Sequence, residues 1–486
     1  MASDEAFGPV NDLTKLVSVK PRWEGRMAST EPDSEPGARQ DENGDEVFSD
    51  RSTSTAKTIW NIANAIQSVS VLSLPYAVFR GGWVALGALI VVAIMSNITG
   101  KLLIDCLYDK PLPSMLSRIT QHPVVANVSA MGRINAASIS VSESMPLIAV
   151  SQPVLVRSTY ASIGQACWPF GGQVIVLLVQ CVELLGVCSL MLVLMGSAIG
   201  MLTSQWVDHS LNVWITVSAG IVLPTVLLPR LSQLGWLSLV GVFTIFGVVS
   251  TILANSVSKY KEWHFVNFPT PSWQHFPIAL GIVVFGYAAH GQFPSFHIRM
   301  EKPLRFGFAL NVSFFLVAIL DMTSGVLGYL AYGSETKDII NQNMQSPWNH
   351  IIDVLLLINL VLSYALPMFP VSAMMDRFLR RYFPLCGKAG NDGGLRLFYF
   401  ITTRMFLVGI TLLVAVSIPN FHLLMSFIGS ITCVLLVFVL PCVFHLVLHR
   451  SHLTMLGKSV NIILVLISTA AGVSGVYASY TELSSS

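Results

Sequence analysis

The chain has 486 residues, 53% of them hydrophobic and only 11% charged, with a net charge of +2. A soluble domain carries about a quarter charged residues, so this composition excludes an ordinary soluble enzyme or binding module. A net charge this small gives no electrostatic footprint for nucleic acid, and no such partner is expected.

Residues 1–55 are polar, and Glu31 to Asp50 holds eight acidic residues against the single Arg39. Such a segment buries too little apolar surface to offset the entropy of ordering. A disordered cytoplasmic tail is expected there, with no cleavable signal peptide. Long apolar blocks follow. Val174 to Leu202 contains one charge, Glu183, and Ile401 to Ile418 contains one, Arg404. A helix needs about 20 apolar residues to cross the hydrocarbon. Continuous blocks without period-two alternation select helices over a barrel. Eleven spans are expected, at 57–79, 82–107, 171–202, 211–229, 235–257, 276–298, 306–333, 349–373, 398–418, 422–447 and 459–480. Residues 56–480 make the transmembrane domain, a long cytoplasmic loop at 109–157 interrupts it, and 481–486 form a short tail.

Lys and Arg placement sets orientation. With the N-terminus in the cytoplasm, sixteen basic residues fall on cytoplasmic connections, against Arg80, Lys259, Lys261 and Lys337 on the other side. The C-terminus is then luminal or external. The sequon at Asn127 falls in the cytoplasmic loop, so a glycan there would overturn the orientation. The seven cysteines show no paired spacing. The histidines show no metal spacing, so no metal and no cofactor are expected. No nucleophile stands with a base, so an enzyme is not expected either.

Two spans are not plain. The first runs through Asn64, Gln67, Ser68, Ser70 and Ser73 to Pro75. The sixth runs through Gly281, Gly286, Tyr287, His290 and Gln292 to Pro294. Small and polar residues before a proline invite unwinding, which membrane interiors tolerate only around a cavity or inside protein. The breaks are five spans apart. Five spans per repeat invert the second half, and matched interruptions point to a secondary transporter's binding site. The alternative is a pair of ordinary proline kinks. Several ionisable residues lie within spans. Glu183 and Asp321 are proton carriers or structural hydrogen-bonding groups. His290 suits proton coupling or a neutral hydrogen-bonded role. Arg404 either pairs with a carboxylate or snorkels, and Asp353 reads as interfacial.

Trp60 to Gln67, Leu74-Pro75-Tyr76-Ala77 and Gly81-Gly82 resemble the first span of the amino acid/auxin permease family. Thr99 to Tyr108, Gly281 to Phe285, Glu335 to Ile340, Leu366-Pro367 and Leu440-Pro441 resemble later segments of that family in order. The branch it resembles most is that of the vesicular inhibitory amino-acid (GABA and glycine) transporters. The resemblance implies an all-α fold of the leucine-transporter type, a five-plus-five inverted repeat with one extra helix. It implies proton-coupled uptake of small neutral amino acids into a synaptic-type vesicle. The alternatives are a sodium- or proton-coupled carrier of the plasma membrane or lysosome, and an amino-acid sensor of the same fold. Four features depart from that branch. Ser68, Ser70 and Ser73 stand in place of two glycines and an aromatic. His290 replaces an amide, His297 an acid, and the loop 111–153 has no counterpart. The expected partners are the amino acid, protons and the lipid bilayer; oligomeric state is not legible. The expected substrate-binding residues are Asn64, Ser68, Ser70, Ser73, Gly286, Tyr287, His290 and Ser363. The proton-coupling candidates are Glu183, His290 and Asp321.

Overall fold

The computed structural model describes residues 53–67, 69–109, 154–207, 209–227, 235–263, 270–382 and 393–485. The expected tail to residue 52, Ser68 and most of the long loop lie outside the described residues. What is described is almost entirely helical, as the continuous apolar blocks require.

Among the described residues, eight helical stretches are long and apolar enough to cross a membrane. They are Leu74–Asp105, Gly172–Thr203, Phe276–Arg299, Pro303–Glu335, Trp348–Leu379, Leu397–Ser417, Phe421–Leu448 and Met455–Ser485. Leu211–Val226 and Phe243–Ser258 are apolar but shorter. Outward faces keep large apolar side chains such as Phe243, Phe315, Leu413 and Tyr477 exposed, as suits a lipid surround. The last helix runs on to Ser485, past the end expected near residue 480, and so includes Glu482.

The first span is divided. Ser54 caps the helix Thr55–Ile66. A 3-10 turn, Val69–Leu72, follows, and a new helix starts at Leu74. The helix Leu74–Asp105 contains a turn at Gly82, whose φ of 61° favours a residue without Cβ. The sixth span is divided likewise into Phe276–Gly286, a 3-10 turn His290–Gln292, and Phe293–Arg299. Pro75 and Pro294 both stand in the first turn of the second half-helix, where a missing N–H costs nothing. Each proline therefore opens a new helix rather than kinking a continuous one.

The two broken spans run in opposite directions. Thr53 N–H donates to Arg299 O at 3.1 Å, and Glu301 N–H to Thr53 O at 3.0 Å. The start of the first span thus lies beside the end of the sixth. The second span finishes at this same end, where the Tyr108 hydroxyl meets His297 Nε2 at 2.6 Å. The long loop is clasped where it leaves and returns. Tyr108–Asp109 pairs antiparallel with Val154–Leu155, and Arg157 donates to Asp109 Oδ1 at 2.7 Å.

The tenth span carries a π-helical stretch, Gly429–Val439, between Phe421–Ile428 and Leu440–Leu448. Its Gly429 lies against the sixth span so closely that an added Cβ would fall 2.0 Å from Gly281 O. Two glycines allow backbone to meet backbone there.

Candidate functional site

The two breaks face each other. Any Cβ at Gly286 would lie 3.0 Å from Ser70 Oγ, so the glycine lets the unwound segments approach. Ser70, Ser73, Tyr287 and His290 are all buried. Ser73 N–H donates to Ser70 O at 2.8 Å, and Ser73 Oγ donates to Asp338 O at 2.5 Å. The second bond ties the first break to the segment after the seventh span. The Tyr287 ring stacks on Phe314, with centroids 6.2 Å apart.

Asp321, on Phe306–Tyr332, joins these breaks. Its carboxyl lies within interaction range of the Gln67 amide and the Tyr287 hydroxyl. None of the contacts meets hydrogen-bonding geometry, however. Both side-chain polar atoms of Gln67, the Tyr287 hydroxyl, Asp321 Oδ1 and, one turn on, Ser324 Oγ are buried without a partner among the described residues. Each such atom costs about 1–3 kcal/mol, and such groups call for an ion, a proton or water. Gln67 was visible as a polar residue in the break but not as a partner of Asp321. The Asp321/Ser324 spacing on a largely apolar helix is the available signal.

The other expected residues that are described make different contacts. His290 turns towards the second span, where Nε2 lies 3.0 Å from Ser96 O and 3.1 Å from Thr99 Oγ1. Its ring also packs on Phe293. Glu183 faces the π-helical stretch, and the Cys433 thiol lies 3.7 Å from its Oε1. Ser363 packs by Gly241 of the fifth span, 3.2 Å from where a Cβ would stand. Asn64 is half-buried on the first half-helix.

Pairings invisible in the sequence appear at the opposite end of the bundle. Arg80 pairs with Glu482, and His422 lies 3.4 Å from both Asp338 Oδ2 and Glu482 Oε1. Tyr76 packs against His422, and Arg80 lies over the Tyr76 ring. This network joins the first, tenth and last spans and the segment after the seventh. Asp353, near the start of the helix Trp348–Ser363, is fully buried and accepts from Asn341 Nδ2 at 2.5 Å. At the other end, Asp105, His445 and His449 come together, although sequence spacing marked no metal-ligating histidines.

The contact between the breaks carries a test. Gly286→Ala should cost about 1–3 kcal/mol by overpacking against Ser70. Adding Ser70→Ala leaves the nearest contact at the Ser70 Cβ distance of 3.5 Å. A double-mutant cycle in thermal unfolding should therefore show that the second change offsets part of the first. Strict additivity would show that the two breaks do not touch.

Comparison with known proteins extends this picture. The model of the family described as transmembrane amino acid transporter protein matches residues 51–120 and 128–481. The vesicular inhibitory amino acid transporter of Rattus norvegicus is 30% identical over 403 residues, covering 80% of this chain and 68% of that protein. The vesicular GABA transporter of Caenorhabditis elegans is 27% identical, covering 94% and 86%. Amino acid transporter AVT1E of Arabidopsis thaliana is 26% identical, covering 89% and 74%. Among solved structures, the inward-facing conformation of Mhp1 is 13% identical with a TM-score of 0.48, covering 89% of this chain and 90% of that one, a likeness too loose to place any helix. With the family model spanning both broken spans and nearly all the helices around them, the chain belongs to the transmembrane amino acid transporter family and is a multi-pass membrane carrier of amino acids.

Proposed function

We propose that this protein loads small neutral amino acids of the GABA and glycine type into a cytoplasmic vesicle in exchange for protons. The names of its relatives support the substrate class and the compartment. The observation that carries proton coupling is the group of unpartnered buried polar atoms at Gln67, Tyr287 and Asp321.

The chemistry fits both protonation states. A charged Asp321 needs donors, which Gln67 Nε2–H and Tyr287 O–H supply. A protonated Asp321 donates, and Gln67 Oε1 or the Tyr287 oxygen accepts. Gln67 stands at the first break and Tyr287 at the sixth. A proton on Asp321 therefore changes how the two breaks hold each other, and with them the amino acid between Ser70, Ser73 and Gly286. Asn64 and Ser68 precede these serines in the sequence of the first span and are assigned to the same site. His290 fixes the sixth break against the second span, Ser363 supports the fifth, and Glu183 is the second proton candidate. Eleven passages are proposed, with a cytoplasmic N-terminus, a luminal C-terminus and two inverted five-span repeats. The antiparallel course of the broken spans supports this arrangement.

Uptake of labelled amino acids, GABA and glycine included, into proteoliposomes with an imposed interior-acid, interior-positive gradient decides the matter. Accumulation should rise with the gradient and collapse on adding a protonophore. Accumulation that needs sodium, or ignores both gradients, would overturn the proton reading.

A further inference from the structure

The end of the bundle where the second span finishes holds a donor set that transport leaves unused. Asp105 is the last residue of Leu74–Asp105. His445 lies in the helix Leu440–Leu448, and His449 caps it. One ligand atom from each of the three lies within 4.8 Å of the others. Asp105 Oδ2 is 3.6 Å from His445 Nε2, and the two imidazole centroids are 5.2 Å apart. The histidines are 7% and 3% exposed, while the Asp105 side chain keeps 37% of its surface. The group is thus enclosed on the histidine side and open on the carboxylate side, leaving room for entry and for water.

We propose that Asp105, His445 and His449 bind a divalent transition cation of the zinc class, which clamps the second span to the tenth and slows transport. Four-residue spacing puts both imidazoles on one face of a helix. Two imidazoles and one carboxylate suit zinc-like cations, whereas magnesium and calcium prefer all-oxygen sets. Donors around a tetrahedral zinc stand roughly 3.4 Å apart, given bonds of about 2.0–2.2 Å. The Asp105–His445 pair already meets that spacing, and His449 reaches it by turning at the helix end.

A neighbouring helix completes the arrangement. Asn461 Nδ2 lies 3.1 Å from His445 Nδ1 and donates to Gly457 O at 3.0 Å, while Asn461 Oδ1 has no partner among the described residues. With Asn461 Nδ2 donating to Nδ1, the neutral His445 ring carries its hydrogen on Nε2. Binding through Nε2 moves that hydrogen to Nδ1. The Asn461 amide then turns so that Oδ1 accepts it, giving up the Gly457 bond. Such an outer partner fixes the ring and raises its basicity as a ligand.

The clamp acts on supports of both breaks. The second span continues through Gly82 into the second half of the first, and the tenth span meets the sixth at Gly429 and Gly281. Cation binding depends only on these residues, while the slowing of transport rests on the proposed function.

The test uses the purified full-length protein in nanodiscs. Co2+ should give a saturable visible ligand-field spectrum with one cation per chain, displaced by Zn2+ and not by Mg2+. Each of Asp105→Asn, His445→Gln and His449→Gln should weaken Zn2+ binding, read by calorimetry, at least about tenfold. Zn2+ should slow proteoliposome uptake by the native protein and not by these variants. No saturable Co2+ spectrum from the native protein, or undiminished affinity in the His445→Gln/His449→Gln double variant, would overturn the site. Tight binding with unchanged uptake would overturn the clamp alone.

Discussion

Asp321→Asn should lower gradient-driven uptake by about two orders of magnitude, roughly the effect of withholding the 2.5–3.5 kcal/mol involved in placing a charge at mid-membrane. The amide keeps the volume and, like the protonated acid, can donate, but it cannot exchange a proton. Asp321 is 2% exposed, and its carboxyl lies within interaction range of Gln67 and Tyr287. Fixing it in a neutral state holds the two breaks in one relationship, so coupled accumulation stops. Substrate counterflow, which needs no net proton movement, should survive better than accumulation. Equal loss of both would mean that Asp321 is structural. Full accumulation would remove it from coupling altogether and leave Glu183 as the carrier.

The second large effect is on stability. Arg404 donates to both Asp376 oxygens, at 3.0 Å and 2.9 Å, and its guanidinium lies 3.9 Å from the Phe400 centroid. The Arg404 side chain is 8% exposed and that of Asp376 is 29% exposed. Removing one member of a buried pair costs about 3–5 kcal/mol, because the other charge is left uncompensated. Asp376→Leu strands the more deeply buried arginine, so it should reduce thermal stability more than Arg404→Leu does. Replacing both by leucine should recover most of the loss, since a well-packed apolar pair in place of a buried ion pair is often neutral. A double variant as unstable as the worse single one would show that the pair does more than neutralise itself.

Several residues show how much was legible beforehand. Arg404 was seen as a charge in an apolar block seeking a carboxylate, because an unpaired one is costly there. Asp376 could not be chosen as its partner, since a helix periodicity does not say which neighbour it faces. His290 is legible from its place in a break, but its contact with Ser96 O on the second span is not. Ser363 is expected in the site, and its packing by Gly241 of the fifth span is not legible from its own helix. Asp353 was read as interfacial from its place near a span end. Asn341, in the segment before the eighth span, folds back to cover it.

By itself the sequence determined the membrane, the helices and the two broken spans. Those follow from local requirements: the run of apolar residues that hydrocarbon demands, and the backbone that proline, glycine and serine permit. It also carried the family, through motifs met in order. Only the tertiary structure decided which polar groups meet. Gln67, Tyr287 and Asp321 come from three spans, the Arg80–Glu482–His422 network from the first, tenth and last, and Asp105 joins His445 and His449 across two. Such meetings depend on how helices cross and rotate. That is fixed by close contacts such as Gly281 on Gly429, which no single span's pattern contains.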